Sequence, residues 1–112
     1  MIYKQFDIVT VPFPFVDSHI TKKRPALILS SQKFNSEIGH SVMAMITSAR
    51  NKPWSYDTAI SDLIKSGLPN PSVIRMKFFT LDNKLIIDTI GSLSLKDKKV
   101  LNKMMKYIFA NV

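Results

Sequence analysis

A short apolar run, Ala26-Leu27-Ile28-Leu29, is entered through Arg24-Pro25 and preceded by the basic turn Thr21-Lys22-Lys23. A run this short and this apolar reads as a buried strand. Proline has no amide to give to a sheet and biases its neighbour toward extended conformations, so it suits a strand's first residue. The expectation is a strand over Pro25–Ser30, with Arg24 fixed at its mouth and facing solvent. The guanidinium is a planar fork of donors that never loses its charge, the side chain best shaped to hold a phosphate.

The rest of the chain is punctuated in the same way. Asp7–Phe15 alternates, with Val9, Val11, Phe13 and Phe15 on one face and Ile8, Thr10, Pro12 and Pro14 on the other, as on an edge or barrel rim. Ser31–Gly39 reads as a short helical turn and loop, Ser41–Thr47 as a strand, Asn51–Tyr56 as a loop and Thr58–Ile60 as a short strand. Gly67-Leu-Pro-Asn-Pro71 must be irregular. Ser72–Phe79 alternates again, with Ile74, Met76 and Phe78 opposite Val73, Arg75, Lys77 and Phe79, and Leu85–Gly91 is a further β-like run. The end is a helix: Ser94 is a good N-cap with Asp97 three residues on, and Leu101, Met104, Met105 and Ile108 form a stripe. Five to seven short strands and one terminal helix predict a mainly β fold, a small barrel with a helix packed on it.

At 112 residues the chain is expected to form a single domain with a real core. It has no cysteine, which excludes a disulfide scaffold and zinc–thiolate sites. The start lacks the basic-then-apolar build of a signal peptide, and no apolar run approaches a membrane span, so a cytoplasmic location with no membrane partner is expected. Sixteen Lys and Arg against 8 Asp and Glu give a net charge of +8. Such a surface attracts phosphate polymers and acidic proteins. The lysines from Lys96 to Lys106 read as a solvated helix face, whereas Lys22, Lys23, Arg24, Arg50, Lys52, Arg75 and Lys77 lie at or near predicted strand ends.

Cleavage of RNA without a metal needs a group to take the 2′-hydroxyl proton, one to protonate the leaving oxygen, and donors for the charge on phosphorus. Arg24 fits the charge role, Thr47 and Ser48 offer hydroxyls at a strand end, and Arg75 is a candidate second clamp. His19, five residues before Arg24, titrates where acid–base work is possible. Each has a plainer reading, since strand-end hydroxyls cap turns and loop histidines are common. Phe15, Trp54 and Phe79 suit either base stacking or core packing. Metal chemistry has little support: the acids are scattered, and His19 and His40 stand alone. Ser48 lacks a nucleophile elbow.

Four blocks in order, Asp7-Ile-Val-Thr-Val-Pro-Phe-Pro-Phe-Val-Asp17, Lys23-Arg-Pro-Ala-Leu-Ile-Leu-Ser30, Ile46-Thr-Ser48 and Gly67-Leu-Pro-Asn-Pro-Ser-Val-Ile-Arg-Met-Lys-Phe-Phe-Thr-Leu-Asp82, resemble the MazF/PemK family. These are ribonuclease toxins of bacterial type II toxin–antitoxin systems. The resemblance implies an SH3-like barrel with a C-terminal helix, usually a homodimer. It implies cleavage of single-stranded RNA, often mRNA, without a metal or other cofactor, leaving 2′,3′-cyclic phosphate and 5′-hydroxyl ends. It also implies an acidic antitoxin that orders on binding and blocks the RNA site. Arg24 matches the family's catalytic arginine, Thr47 the hydroxyl residue at the phosphate, and Arg75 the arginine before Thr-Leu-Asp.

The expected site has Arg24, Thr47 and His19 as catalytic residues, with Lys22, Lys23, Ser48, Arg50, Arg75 and Lys77 holding RNA. Three departures stand out. His19 replaces an acid found in many members, Lys77 replaces an aspartate of one branch, and Phe6 stands where a glycine commonly precedes the first strand's acid. They motivate a second reading, a catalytically inactive module that binds RNA or an acidic partner. A protein-interaction barrel with no nucleic-acid role is the third, since fold does not fix function.

Overall fold

The structure, a computed structural model, describes residues 2–13 and 22–110. Six strands form one curled sheet: β1 (Asp7–Phe13), β2 (Lys22–Ile28), β3 (His40–Ser48), β4 (Thr58–Ala59), β5 (Ser72–Asp82) and β6 (Asp88–Ser92). Their order is β4-β5-β3-β2-β1-β6, and every pairing is antiparallel. Among the described residues there are also three α-helices, α1 (Gln32–Ile38), α2 (Leu63–Ser66) and α3 (Leu95–Ile108). The expected mainly β, SH3-like architecture with a C-terminal helix is therefore present, as a half-barrel. Among the described residues no helix is long and apolar enough to cross a membrane.

The sheet buries both faces, and this explains why Ala26-Leu27-Ile28 has no alternation. Leu27 packs with Ile8, Ala44, Ile46, Ile74 and, from α3, Leu101. Ala26 and Ile28 face the other way, into a cluster with Val9, Val11, Met43 and Leu81. The one-sided reading of the first strand is corrected on the same ground: Ile8 is buried as fully as Val9, while Phe13 is 44% exposed at the strand's end. Phe15 lies outside the described residues.

Two boundaries also differ from expectation. The second strand begins at Lys22, so Arg24-Pro25 lies inside it instead of opening it. Proline is tolerated there because the β2–β3 ladder stops at Ala26↔Met45, leaving Pro25 paired only with Thr10 of β1. The last β-like run splits into a 3-10 turn over Asn83–Leu85 and a strand that starts at Asp88.

Ser94 caps α3 as expected, its Oγ accepting from the Asp97 amide at 3.2 Å. The Asp97 carboxylate is buried and does something the capping pattern does not announce. It accepts from the Ser61 amide at 2.9 Å and the Ser61 hydroxyl at 2.7 Å, tying α3 to the segment before α2. Burial pushes this carboxyl's pKa up, but the hydrogen bonds from Ser61, Ser94 and the Asp62 amide outweigh it and leave the pKa lowered. A lowered folded pKa gives stability that is present above the unfolded value and lost as pH falls through the folded one. The urea midpoint is therefore expected to hold above about pH 5 and to fall as pH drops from there to about pH 2, with Asp97→Asn flattening that fall. A wild-type midpoint that stays level over this range would contradict it.

Phe6 adopts φ 72°, the left-handed region that favours glycine. A side chain there costs about 1–2 kcal/mol. The ring offsets this by packing on the sheet's α3-side core, with the Lys98 ammonium 5.4 Å from its centroid.

Candidate anion-binding cleft

Beyond Ala26↔Met45 the strands β2 and β3 part: β2 stays paired with β1 back to Lys22, and β3 stays paired with β5 out to Ser48. Continuing the lost register two steps would bring Arg24 opposite Thr47. The two residues thus stand on the two banks of a gap made by the sheet itself. The gap is a cleft of about 800 Å³, lined by Arg24, Thr47, Ser48, Arg50, Arg75 and Lys77 among others. Six residues picked from separate parts of the sequence converge here. Lys22 and Lys23 are exposed on the same strand but do not line the cleft. His19 lies outside the described residues.

A bulge shapes the far wall. Ala44 pairs with Phe78 but Met45 pairs with Arg75, so one step along β3 spans three along β5. The extra residues, Met76 and Lys77, bend the strand and carry exposed Lys77 to the cleft. Because two residues are inserted, the in–out alternation of β5 is preserved.

Thr47 is oriented by a residue the sequence did not single out. Asn51 Nδ2 donates to Thr47 Oγ1 at 2.5 Å, which leaves the hydroxyl proton available to an acceptor in the cleft. Ser48 also does turn work, its Oγ accepting from the Arg50 amide at 3.2 Å.

Arg75 differs from a free clamp. It is 9% exposed, and its Nε and one terminal nitrogen donate to Asp57 Oδ1 and Oδ2 at 3.2 and 2.9 Å. The same terminal nitrogen donates to the Lys52 carbonyl at 2.9 Å, so the guanidinium pins the loop between β3 and β4. The Arg75 hydrogen bond, ahead of the opposing effect of burial, holds the Asp57 carboxyl below its ordinary pKa. The pair follows from register: Thr58↔Ile74 sets Asp57 beside Arg75.

Charge in the cleft has one sign. Arg24, Arg50, Arg75 and Lys77 line it, and no carboxylate or imidazole does among the described residues. Arg75–Asp57 is the single ion pair among the described residues, and within them Arg24, Arg50 and Lys77 have no carboxylate partner. No three His, Asp or Glu side chains converge anywhere among them. The chemistry of such a site suits a polyanion, with Arg24 and Thr47 as hydrogen-bond donors of the kind that phosphate oxygens accept.

Half-barrel, splayed strands and a cationic cleft together define a small basic protein built around a positively charged gap in its own sheet. Residues 4–109 match the family of PemK-like, MazF-like toxins of type II toxin–antitoxin systems, and the chain belongs to that family. No curated protein sequence gives a significant match. Solved structures share the fold. The Mycobacterium tuberculosis toxin MazF-mt6 is 21% identical, with 92% of this chain and 95% of that one covered and a TM-score of 0.74. MazF in a MazE–MazF structure from Deinococcus radiodurans is 15% identical over 100% of both chains, with a TM-score of 0.78. A mycobacterial endoribonuclease in complex with its cognate antitoxin is 14% identical over 94% of this chain and 92% of that one, with a TM-score of 0.75.

Proposed function

We propose that this toxin is an endoribonuclease that cuts single-stranded RNA without a metal, leaving 2′,3′-cyclic phosphate and 5′-hydroxyl ends. The observation that carries the reading is the placement of Arg24 and Thr47 on opposite banks of a cleft whose charge is all positive among the described residues. In the proposed reaction the 2′-hydroxyl loses its proton, its oxygen bonds to phosphorus, and the bond to the 5′-oxygen breaks as that oxygen gains a proton. Arg24 stabilises the charge developing on the phosphoryl oxygens, and Thr47 donates to one of them. Lys77, Arg50 and Ser48 hold the neighbouring backbone. Proton transfer is assigned to Arg24 and to His19, the latter on the sequence alone. As the family resemblance implies, the active form is a cytoplasmic homodimer held in check by an acidic antitoxin, to which a net charge of +8 is suited.

Two experiments follow. The purified protein in EDTA is expected to cut a long single-stranded RNA at discrete positions and to spare the same sequence as a duplex. No cutting across salt and pH, with RNA still bound, would favour the inactive binding module. Asn51→Ala is expected to slow single-turnover cleavage roughly threefold to tenfold, the worth of one neutral hydrogen bond. An unchanged rate would remove Asn51 from the mechanism.

A further inference from the structure

Trp54 is the chain's single tryptophan, and it stands 47% exposed on the loop between β3 and β4. An indole left half in water on a surface loop is unusual for so large an apolar group, and here the backbone around it is locked. The Trp54 amide donates to Asp57 Oδ2 at 2.9 Å, and the Asp57 amide donates back to the Trp54 carbonyl at 3.3 Å. Tyr56, between them, takes φ 69°, a left-handed conformation that persists only where its surroundings hold it. What holds it is Arg75, fastened to Asp57 and to the Lys52 carbonyl on either side of the turn. The Arg75 Cζ lies 4.9 Å from the Trp54 ring centroid and Lys77 Nζ 5.8 Å from it. Both cations also line the cleft, so the indole sits at its rim.

We infer that Trp54 is a stacking platform for an unpaired base of the RNA strand next to the phosphate held in the cleft, and that Arg75 is the positioning residue that aims it. The inference rests on the proposed ribonuclease reading. An aromatic face accepts any base, while Lys77 beside the ring meets the phosphate that follows it. Arg75 acts through its hold on the turn and not as a clamp on RNA. The competing explanation is structural, with Trp54 merely shielding the Arg75–Asp57 ion pair from water.

Stacking and shielding give different readouts, because all tryptophan fluorescence of this chain comes from the proposed platform. The full chain is titrated with a fluorescein-labelled RNA oligonucleotide made uncleavable by 2′-deoxy substitution, following both anisotropy and tryptophan emission. Emission is expected to be quenched in step with binding, and an abasic oligonucleotide of the same length should bind with little quenching. Trp54→Ala is expected to weaken binding of the base-bearing RNA by roughly fivefold to a hundredfold, and Trp54→Phe by much less. Equal loss for the base-bearing and abasic strands would assign Trp54 the structural role and overturn the proposal. Binding by anisotropy with unchanged emission would also overturn it while leaving the ribonuclease reading intact. Absence of any RNA binding would overturn both.

Discussion

Arg24→Ala is expected to reduce RNA cleavage by on the order of a hundredfold or more, the scale for losing one preorganised charge stabiliser. The structure makes this loss separable from folding. The side chain is exposed, it makes no ion pair among the described residues, and its strand is held by backbone pairing with β1 on the other side. The urea midpoint of the variant should therefore stay within a few tenths of molar of wild type, since surface substitutions cost roughly 0.5 kcal/mol or less. Arg24→Lys is expected to recover only part of the rate, because an ammonium is a point charge and cannot present two parallel donors to one phosphate. Cleavage at the wild-type rate by the alanine variant would remove Arg24 from the chemistry.

The largest effect on stability is expected from Gly67→Ala. Gly67 closes α2 in a left-handed conformation at φ 73°, and a Cβ there would lie 1.9 Å from the Ile90 carbonyl oxygen. Across the same contact, a Cβ on Gly91 would lie 2.3 Å from the Ser66 carbonyl carbon. Here α2 and β6 meet backbone against backbone, with no flexible side chain able to give way. Overpacking costs about 1–3 kcal/mol, and the left-handed conformation adds about 1–2 kcal/mol. The total is a large share of the roughly 5–15 kcal/mol that holds a domain folded. Two other glycines separate the contributions. Gly91→Ala carries the clash alone, while Gly39→Ala carries only the strain of φ 75°, with nothing within 4 Å of its Cβ. Urea midpoints should rank wild type, Gly39→Ala, Gly91→Ala and then Gly67→Ala, at an unchanged m-value. A Gly67→Ala protein as stable as Gly39→Ala would show that α2 and β6 do not approach this closely.

What could be read from the sequence followed local chemistry. Ser94 announced α3, Gly67-Leu-Pro-Asn-Pro71 announced an irregular segment, and the apolar run after Pro25 announced a buried strand. Arg24 and Thr47 were legible as candidates, and both line the cleft, because each stands where a hydrophobic pattern gives way to polar groups. What stayed hidden depends on partners distant in sequence. The four residues of α2 are too few to show a helical period. The β5 bulge inserts two residues, so its alternation reads as an unbroken strand even though Lys77 is displaced toward the cleft. Pro25 appeared to open its strand because nothing local tells which neighbour the missing amide would have faced. The Arg75–Asp57 pair, which makes this candidate residue also the anchor of a loop, comes from the β4–β5 register. Asn51 carries no local signal for its bond to Thr47.

In the proposed function the gap between β2 and β3 cleaves RNA by using the RNA's own 2′-hydroxyl as the nucleophile. The most direct measurement is the mass of the products from a short single-stranded RNA containing one mapped cut site, incubated in EDTA with wild type or Arg24→Ala. Wild type is expected to yield 5′ fragments ending in 2′,3′-cyclic phosphate and 3′ fragments beginning with a 5′-hydroxyl, both nearly absent with the variant. Fragments bearing 3′-hydroxyl and 5′-phosphate ends, or the same products at the same rate from Arg24→Ala, would contradict it.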